Sequence, residues 1–143
     1  ERAQLISQQH QITYSIPIDT ITLVKEISDI KQSYTQYGGA RPFGVSILFI
    51  GIDDDTPVLY ATEPTGIFFE YKAAALGEGA DAVKEILYKE YSESMSTEDA
   101  IKMCIRALKK VLGKDFDARR IDGALVDLKE RNYQVIDKRK FRI

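Results

Sequence analysis

Residues 38–79 read GGARPFGVSILFIGIDDDTPVLYATEPTGIFFEYKAAALGEG. Gly38-Gly39 ends the preceding element, because glycine takes the positive φ that stops a helix. Arg41-Pro42 sets an extended entry, since a residue before proline is pushed out of the α region. Phe43 to Ile50 is apolar on both alternating faces, with Phe43, Val45, Ile47 and Phe49 on one and Leu48 and Ile50 on the other. This pattern predicts a strand covered on both sides. Asp53-Asp54-Asp55-Thr56-Pro57 has turn chemistry. It leads to a strand over Val58–Thr62, a turn at Glu63-Pro64-Thr65-Gly66 and a strand over Ile67–Leu76, closed by Gly77-Glu78-Gly79.

Upstream, Glu1–Gln11 reads as a helix without a capping residue ahead of it, so it looks cut rather than begun. Pro17 interrupts it. Asp19 or Thr20 can cap the next helix, whose apolar stripe is Leu23, Ile27, Ile30 and Tyr34, with Lys25, Asp29, Lys31 and Gln32 largely off it. Tyr34 and Tyr37 read as aromatics packing on a sheet, in preference to a binding surface.

Downstream, Asp81–Tyr91 is helical, with Val83, Ile86, Leu87 and Tyr91 inward. Ser96-Thr97-Glu98-Asp99 resembles a capping box. The helix behind it places Ile101, Cys104, Ile105, Leu108 and Val111 on one face and stops at Gly113. Ile121–Leu128 and Tyr133–Ile136 predict a hairpin. Asp137–Ile143 is basic and fits a short terminal element. Two helices, three strands, two helices and two strands make an α+β chain.

The 143 residues suit one domain, 1–143, and carry a formal charge of −2. Near-balanced charge leaves no nucleic-acid footprint. No apolar run approaches a membrane span, and the opening Glu1-Arg2-Ala3-Gln4 carries no signal-peptide pattern. The single cysteine, Cys104, forbids an internal disulfide and fits a reducing compartment. On its helical stripe Cys104 reads as a buried small hydrophobe, not a nucleophile. His10 is the only histidine, so neither a multi-histidine metal site nor a Ser-His-acid triad can be built. Asp53-Asp54-Asp55 lacks the spaced ligands and closing glutamate of a calcium loop and reads as a solvated turn. Gly77-Glu78-Gly79-Ala80 lacks the phosphate-loop pattern, and Glu78 would repel an anion, so it reads as a tight turn. No catalytic, cofactor-binding or metal-ligating residue is expected.

Taken together, RPFGVS (41–46), the acidic turn, PVLY (57–60), EPTG (63–66), EYKA (70–73) and ALGEG (75–79) resemble the archaeal-type proteasome α-subunit family. The QQHQITYSIPI approach (8–18) and the SDIKQSYTQYGG helix end (28–39) extend the resemblance over nearly the whole chain. It implies part of a four-layer αββα sandwich of the N-terminal nucleophile hydrolase type. The family's gating segment, a short helix and its first strands would precede the chain. It also implies a non-catalytic, cytoplasmic component of the 20S core particle that forms rings and gates entry in protein degradation. Its partners would be itself and α and β subunits, plus an activator ATPase for the full-length family. Helices 1–11 and 20–37 resemble the pair that faces the catalytic ring. A β-type threonine protease and a free-standing α+β interaction module are the alternatives. Catalytic members attack with an N-terminal threonine whose own amine can act as base, whereas Thr13 is internal. A sandwich short of strands would leave an apolar face and unpaired edges that seek another copy or the missing piece.

Overall fold

The computed structural model describes residues 1–36 and 43–141. Expectations at Tyr37, Gly38-Gly39, Arg41-Pro42 and the last two residues lie outside that range. Within it the chain is α+β, and it falls into two compact units, Glu1–Lys72 and Ala73–Ile143.

The first unit opens with α1 (Arg2–Tyr14), which runs three residues past the expected Gln11. Ser15 stops it in the left-handed conformation, φ 58°, donating its N–H to the Gln11 carbonyl. Helix α2 (Thr20–Gln36) follows, then β1 (Ile47–Asp53), β2 (Thr56–Thr62) and β3 (Phe68–Glu70). The strands form one antiparallel sheet in the order β1-β2-β3, with Ile47 opposite Thr62, Asp53 opposite Thr56 and Ala61 opposite Phe69.

All three strand expectations of this unit need correction, the second because it starts at Thr56 and not Val58; in the second unit the hairpin strands Ala124–Val126 and Tyr133–Val135 are shorter than the expected Ile121–Leu128 and Tyr133–Ile136. The first strand begins at Ile47, not Phe43, because β2 ends at Thr62 opposite Ile47 and offers no partner to earlier residues. The third is only Phe68–Glu70, not Ile67–Leu76. After Tyr71 donates to the Leu59 carbonyl at 2.8 Å, the chain leaves the ladder. The expected turn at 53–57 narrows to Asp54-Asp55, because Asp53 pairs with Thr56 and Pro57 lies in β2 opposite Ile52. Asp54 and Asp55 both take positive φ, 47° and 60°, forming the two-residue primed turn whose twist suits a hairpin. At the second turn, Gly66 donates to the Glu63 carbonyl and Glu63 to the Ile67 carbonyl, with Gly66 at φ 90°.

Helix α2 covers one face of this sheet. Its buried residues are Thr20, Val24, Ile27, Ser28 and Lys31; of the expected stripe only Ile27 is buried, Leu23 and Ile30 are half-buried and Tyr34 is exposed. Two glycines decide this rotation. A Cβ on Gly51 would sit 1.9 Å from Thr20 Oγ1, and one on Gly66 would sit 2.6 Å from the Ser28 carbonyl. The helix therefore rests directly on glycine backbone, with its small polar residues inward. Tyr34 stays substantially exposed and packs edge-on against Phe43, centroids 4.7 Å apart; Phe43 lies outside the strands, so this is not the expected packing on the sheet.

The second unit begins with the turn 77–79, where Ala80 donates to the Gly77 carbonyl. Helix α3 (Ala80–Glu90) buries Ile86 and Leu87 and packs on α4 (Thr97–Leu112). Half of the expected capping box forms: Asp99 N–H donates to Ser96 Oγ at 3.1 Å, but the Asp99 carboxylate accepts from the Ser96 hydroxyl at 2.6 Å in place of the Ser96 backbone N–H. Short 3₁₀ turns at Gly113–Asp115 and Ala118–Arg120 lead to the hairpin β4 (Ala124–Val126) and β5 (Tyr133–Val135). A last 3₁₀ turn, Lys138–Phe141, brings Phe141 into the core. There Ile105, Ile136 and Phe141 gather Ile101, Phe116, Ala118, Ile121 and Leu125 around them. Gly123 lets Phe141 in, since a Cβ there would meet its ring at 2.8 Å.

A candidate interaction surface on the first unit

The position of α2 is fixed at both ends by buried polar contacts. At its start the cap comes from neither Asp19 nor Thr20. Asp53, at the far end of β1, accepts from the Thr20 N–H at 2.8 Å, the Thr20 hydroxyl at 2.7 Å and the Ile21 N–H at 3.3 Å. A carboxylate there satisfies amides that a helix start leaves unpaired and meets the positive end of its dipole. Asp53 is therefore a part-buried cap, not part of a solvated acidic turn. Among the described residues no group of three or more His, Cys, Asp or Glu is arranged to hold a metal ion.

Nearer its other end, Lys31 is only 3 % exposed, against the expectation that it lies off the buried stripe. Its ammonium donates to the Val45 carbonyl at 2.8 Å, Thr62 Oγ1 at 2.8 Å and the Glu63 carbonyl at 3.2 Å. Three donors meet three acceptors, which is the condition for tolerating a buried ammonium. All three oxygens are neutral, and desolvation lowers the Lys31 pKa from its ordinary value. Tyr60 lies buried on the same sheet face. Burial raises its pKa, with smaller contributions from Glu70 and Asp53.

With α2 held in this way, two surfaces stay open. The first is the outer sheet face. In the ladder Leu48 pairs with Ala61, Ile50 with Leu59, and Ala61 with Phe69, so these side chains share one face. Ile50 is 56 % exposed and Phe69 53 %, with Leu48, Ile67 and Tyr71 also exposed. The expectation that Phe43–Ile50 is covered on both sides is thus corrected. Only the face carrying Ile47, Phe49 and Gly51 lies toward α2, and the exposed apolar face agrees with the expectation for a sandwich short of strands.

The second surface is α1 with the groove between it and α2. No residue of α1 is buried, and its apolar residues do not form a stripe. Leu5, Ile12 and Tyr14 are exposed, as is Ile16 just beyond it. The groove has a volume of about 360 Å³ and is lined by Ile6, Gln9, His10, Thr13 and Tyr14 of α1 and Glu26 of α2. The His10 and Tyr14 rings lie 4.7 Å apart, tilted by 47°. His10 Nδ1 is 3.2 Å from the Ile16 carbonyl. A carbonyl only accepts, so Nδ1 carries the hydrogen.

The other singled-out residues lie elsewhere. Cys104 is exposed, not on the buried face of α4. That helix buries Met103, Ile105 and Ala107 instead. Although its surface reaches solvent, the surrounding protein raises the Cys104 thiol pKa, which opposes nucleophilic reactivity. Thr13 lines the groove as an internal residue of α1. The groove and the Asp53 and Lys31 contacts were missed in the sequence. The nearest signal was Gly51, a glycine inside a strand that the strand alone does not require.

A family model for the proteasome subunit matches residues 1–126. Among curated relatives, the chain is 40 % identical over 138 residues to proteasome subunit alpha of Thermococcus onnurineus, covering 96 % of this chain and 52 % of that protein. It is 39 % identical over 134 residues to proteasome subunit alpha of Methanosarcina acetivorans, covering 94 % and 54 %. To proteasome subunit alpha of Methanocaldococcus jannaschii it is 40 % identical over 136 residues, covering 95 % and 52 %. The chain spans about half the length of the curated relatives it matches.

Proposed function

Because this chain belongs to the proteasome subunit family, we propose that it is part of a non-catalytic α-type subunit of the 20S core particle. Its work is structural: contributing assembly surface to rings that enclose intracellular protein degradation, in the cytoplasm. The observation that carries this reading is that nearly all of this chain aligns with about half of each of three archaeal proteins named proteasome subunit alpha, at about 40 % identity. Residues 1–143 act as one partial domain of the four-layer sandwich. The partners are further copies of itself and the α and β subunits, with an activator ATPase engaging the full-length subunit and no role for nucleic acid or membrane.

The open surfaces of the first unit support an assembly role. Exposed contiguous apolar area is rare on monomers and marks an interaction site. In this reading α1 and α2 face the neighbouring catalytic ring. A non-catalytic role fits Thr13, which is internal to α1 and so has no free amine with which to act as its own base.

The experiment is hydrolysis of a fluorogenic peptide by the purified chain, together with coexpression beside archaeal α and β subunits. No turnover and incorporation into particles is the expected result. Turnover by the chain alone would favour the β-type alternative. Failure to incorporate, with a stable monomer, would favour a free-standing interaction module.

A further inference from the structure

Asp122-Gly123 is the one place in the chain where an aspartate precedes a glycine. It lies in the irregular stretch between the 3₁₀ turn Ala118–Arg120 and β4. The Asp122 side chain is 83 % exposed, and its Oδ1 pairs with Lys138 Nζ at 2.8 Å. Lys138 also donates to the Arg119 carbonyl at 3.1 Å. The Gly123 carbonyl accepts the Ile136 N–H at 2.9 Å, whereas the Gly123 N–H has no backbone partner among the described residues. No side chain of its own shields that nitrogen, and none can, because a Cβ on Gly123 would sit 2.8 Å from the Phe141 ring and 3.3 Å from Ile136. The packing that closes the core of the second unit therefore requires the residue that leaves the amide bare.

We propose that Asp122-Gly123 is a self-modification site, at which the Gly123 nitrogen attacks the Asp122 carboxyl and the linkage is converted to isoaspartate. In the first step the carboxylate takes a proton from solvent and the Gly123 nitrogen gives up its own. A bond forms between that nitrogen and Cγ, a C–O bond breaks, and one water leaves, giving a five-membered imide. In the second step one water adds back. Addition at Cγ restores aspartate. Addition at the main-chain carbon of Asp122 leaves the backbone running through Cγ, one methylene longer, with a free α-carboxylate. Nothing is oxidised or reduced, and water is the only co-reactant. The longer chain directly before Gly123 displaces that residue from its place against Phe141 and Ile136. Lys138 opposes the reaction, because its ion pair with the carboxylate must break before Cγ can turn toward the nitrogen.

The test is incubation of the folded 143-residue chain at neutral pH for several weeks, then digestion and electron-transfer fragmentation, which distinguishes isoaspartate from aspartate at each position. Isoaspartate is expected to build up at 122 and not at the other aspartates, whose following residues all carry side chains. Lys138→Met should accelerate it about two- to fivefold, the factor an exposed ion pair is worth. Lys138→Arg, which keeps the pair, should react at the rate of the parent chain. Asp122→Glu should stop it, since the longer side chain would have to close a six-membered ring. In the isomerised fraction the Ile136 amide, which donates to the Gly123 carbonyl, should exchange with solvent faster. No isoaspartate at 122 above the level at the other aspartates would overturn the proposal. An unaccelerated Lys138→Met would overturn the part given to the ion pair, and unchanged exchange at Ile136 would overturn the effect on the core. None of these results depends on ring assembly, so failure of the proteasome reading would show separately, in the coexpression experiment.

Discussion

Asp53 and Thr20 lie 33 residues apart, yet one carboxylate oxygen of Asp53 accepts both the backbone N–H and the hydroxyl of Thr20. The last residue of β1 is therefore the N-terminal cap of α2. Gly51, two residues earlier on the same strand, leaves the space in which Thr20 sits. Helix start and strand end form one junction, and each depends on the other for its polar groups.

Asp53→Ala removes this cap. The expected cost is about 1–2 kcal/mol, at the upper part of the range for helix caps, because a hydroxyl and two amides lose their acceptor together. Urea denaturation measures it. A midpoint equal to that of the parent chain would show that water replaces the carboxylate without loss.

Lys31→Met keeps the aliphatic stem and deletes the ammonium. The Val45 carbonyl, Thr62 Oγ1 and the Glu63 carbonyl then lose their shared donor. Leaving buried acceptors unpaired outweighs the relief of an ammonium no longer desolvated, so a loss of about 2 kcal/mol or more is expected. A more stable Lys31→Met chain would mean that burying the charge costs more than its three hydrogen bonds return.

The two turns of the sheet respond oppositely to substitution. Gly66→Ala places a Cβ 2.6 Å from the Ser28 carbonyl at a φ of 90°, so it combines a clash with backbone strain and should cost more than about 1 kcal/mol. Asp54→Gly relieves a non-glycine residue at φ 47° and should stabilise the hairpin by about 0.5 kcal/mol, once the glycine's extra unfolded freedom is subtracted. Thermal denaturation of both variants tests the pair, and destabilisation by Asp54→Gly would contradict the turn geometry.

Folding lowers the pKa of three carboxyls of the second unit, Asp117, Asp127 and Asp137; for Asp127 the cause is the backbone N–H groups of Lys129 and then Glu130. The Arg119 side chain, and then its backbone N–H, holds the Asp117 carboxyl down to about 2 from 3.8. Arg139 does the same for Asp137, also to about 2. A carboxyl whose pKa is lowered by folding contributes stability that is fully present above its unfolded pKa and is lost as pH falls through the folded one. The contribution is thus present above pH 3.8 and disappears toward pH 2. Both groups are solvent-exposed, so the effect is small. Carboxyl ¹³C titration of Arg119→Gln should return Asp117 toward its ordinary value and leave Asp137 where it was. An unmoved Asp117 would show that the arginine is not the cause.

Local signals were legible in the sequence. Gly, Pro and Asp clusters marked the turns at 53–57, 63–66 and 77–79, and Ser96 with Asp99 announced the start of α4. These depend only on neighbours in the chain, so the element order could be read. Long-range partners could not. Lys31 looked solvent-facing by polarity, because nothing nearby in sequence reveals three oxygens waiting at residues 45, 62 and 63. Cys104 looked buried by periodicity, yet α4 buries Met103 and Ala107 as well as Ile105, so a single stripe misjudged which side each neighbour covers. Phe141 sat in a basic tail and was passed over, although one aromatic among charges is enough to close a small core. The α1–α2 groove was invisible for the same reason: its residues, 6–14 and 26, meet only once the helices pack.

If the exposed faces of the first unit are assembly surfaces, the chain in solution covers them by association, and its mass reports this. Light scattering of the 143-residue chain on a sizing column, over a range of concentrations, should show self-association. A mass near seven or fourteen copies, the expectation from the family resemblance, would place the ring-forming contacts within these residues. A chain that stays monomeric and monodisperse, with Ile50 and Phe69 facing water, would contradict the account.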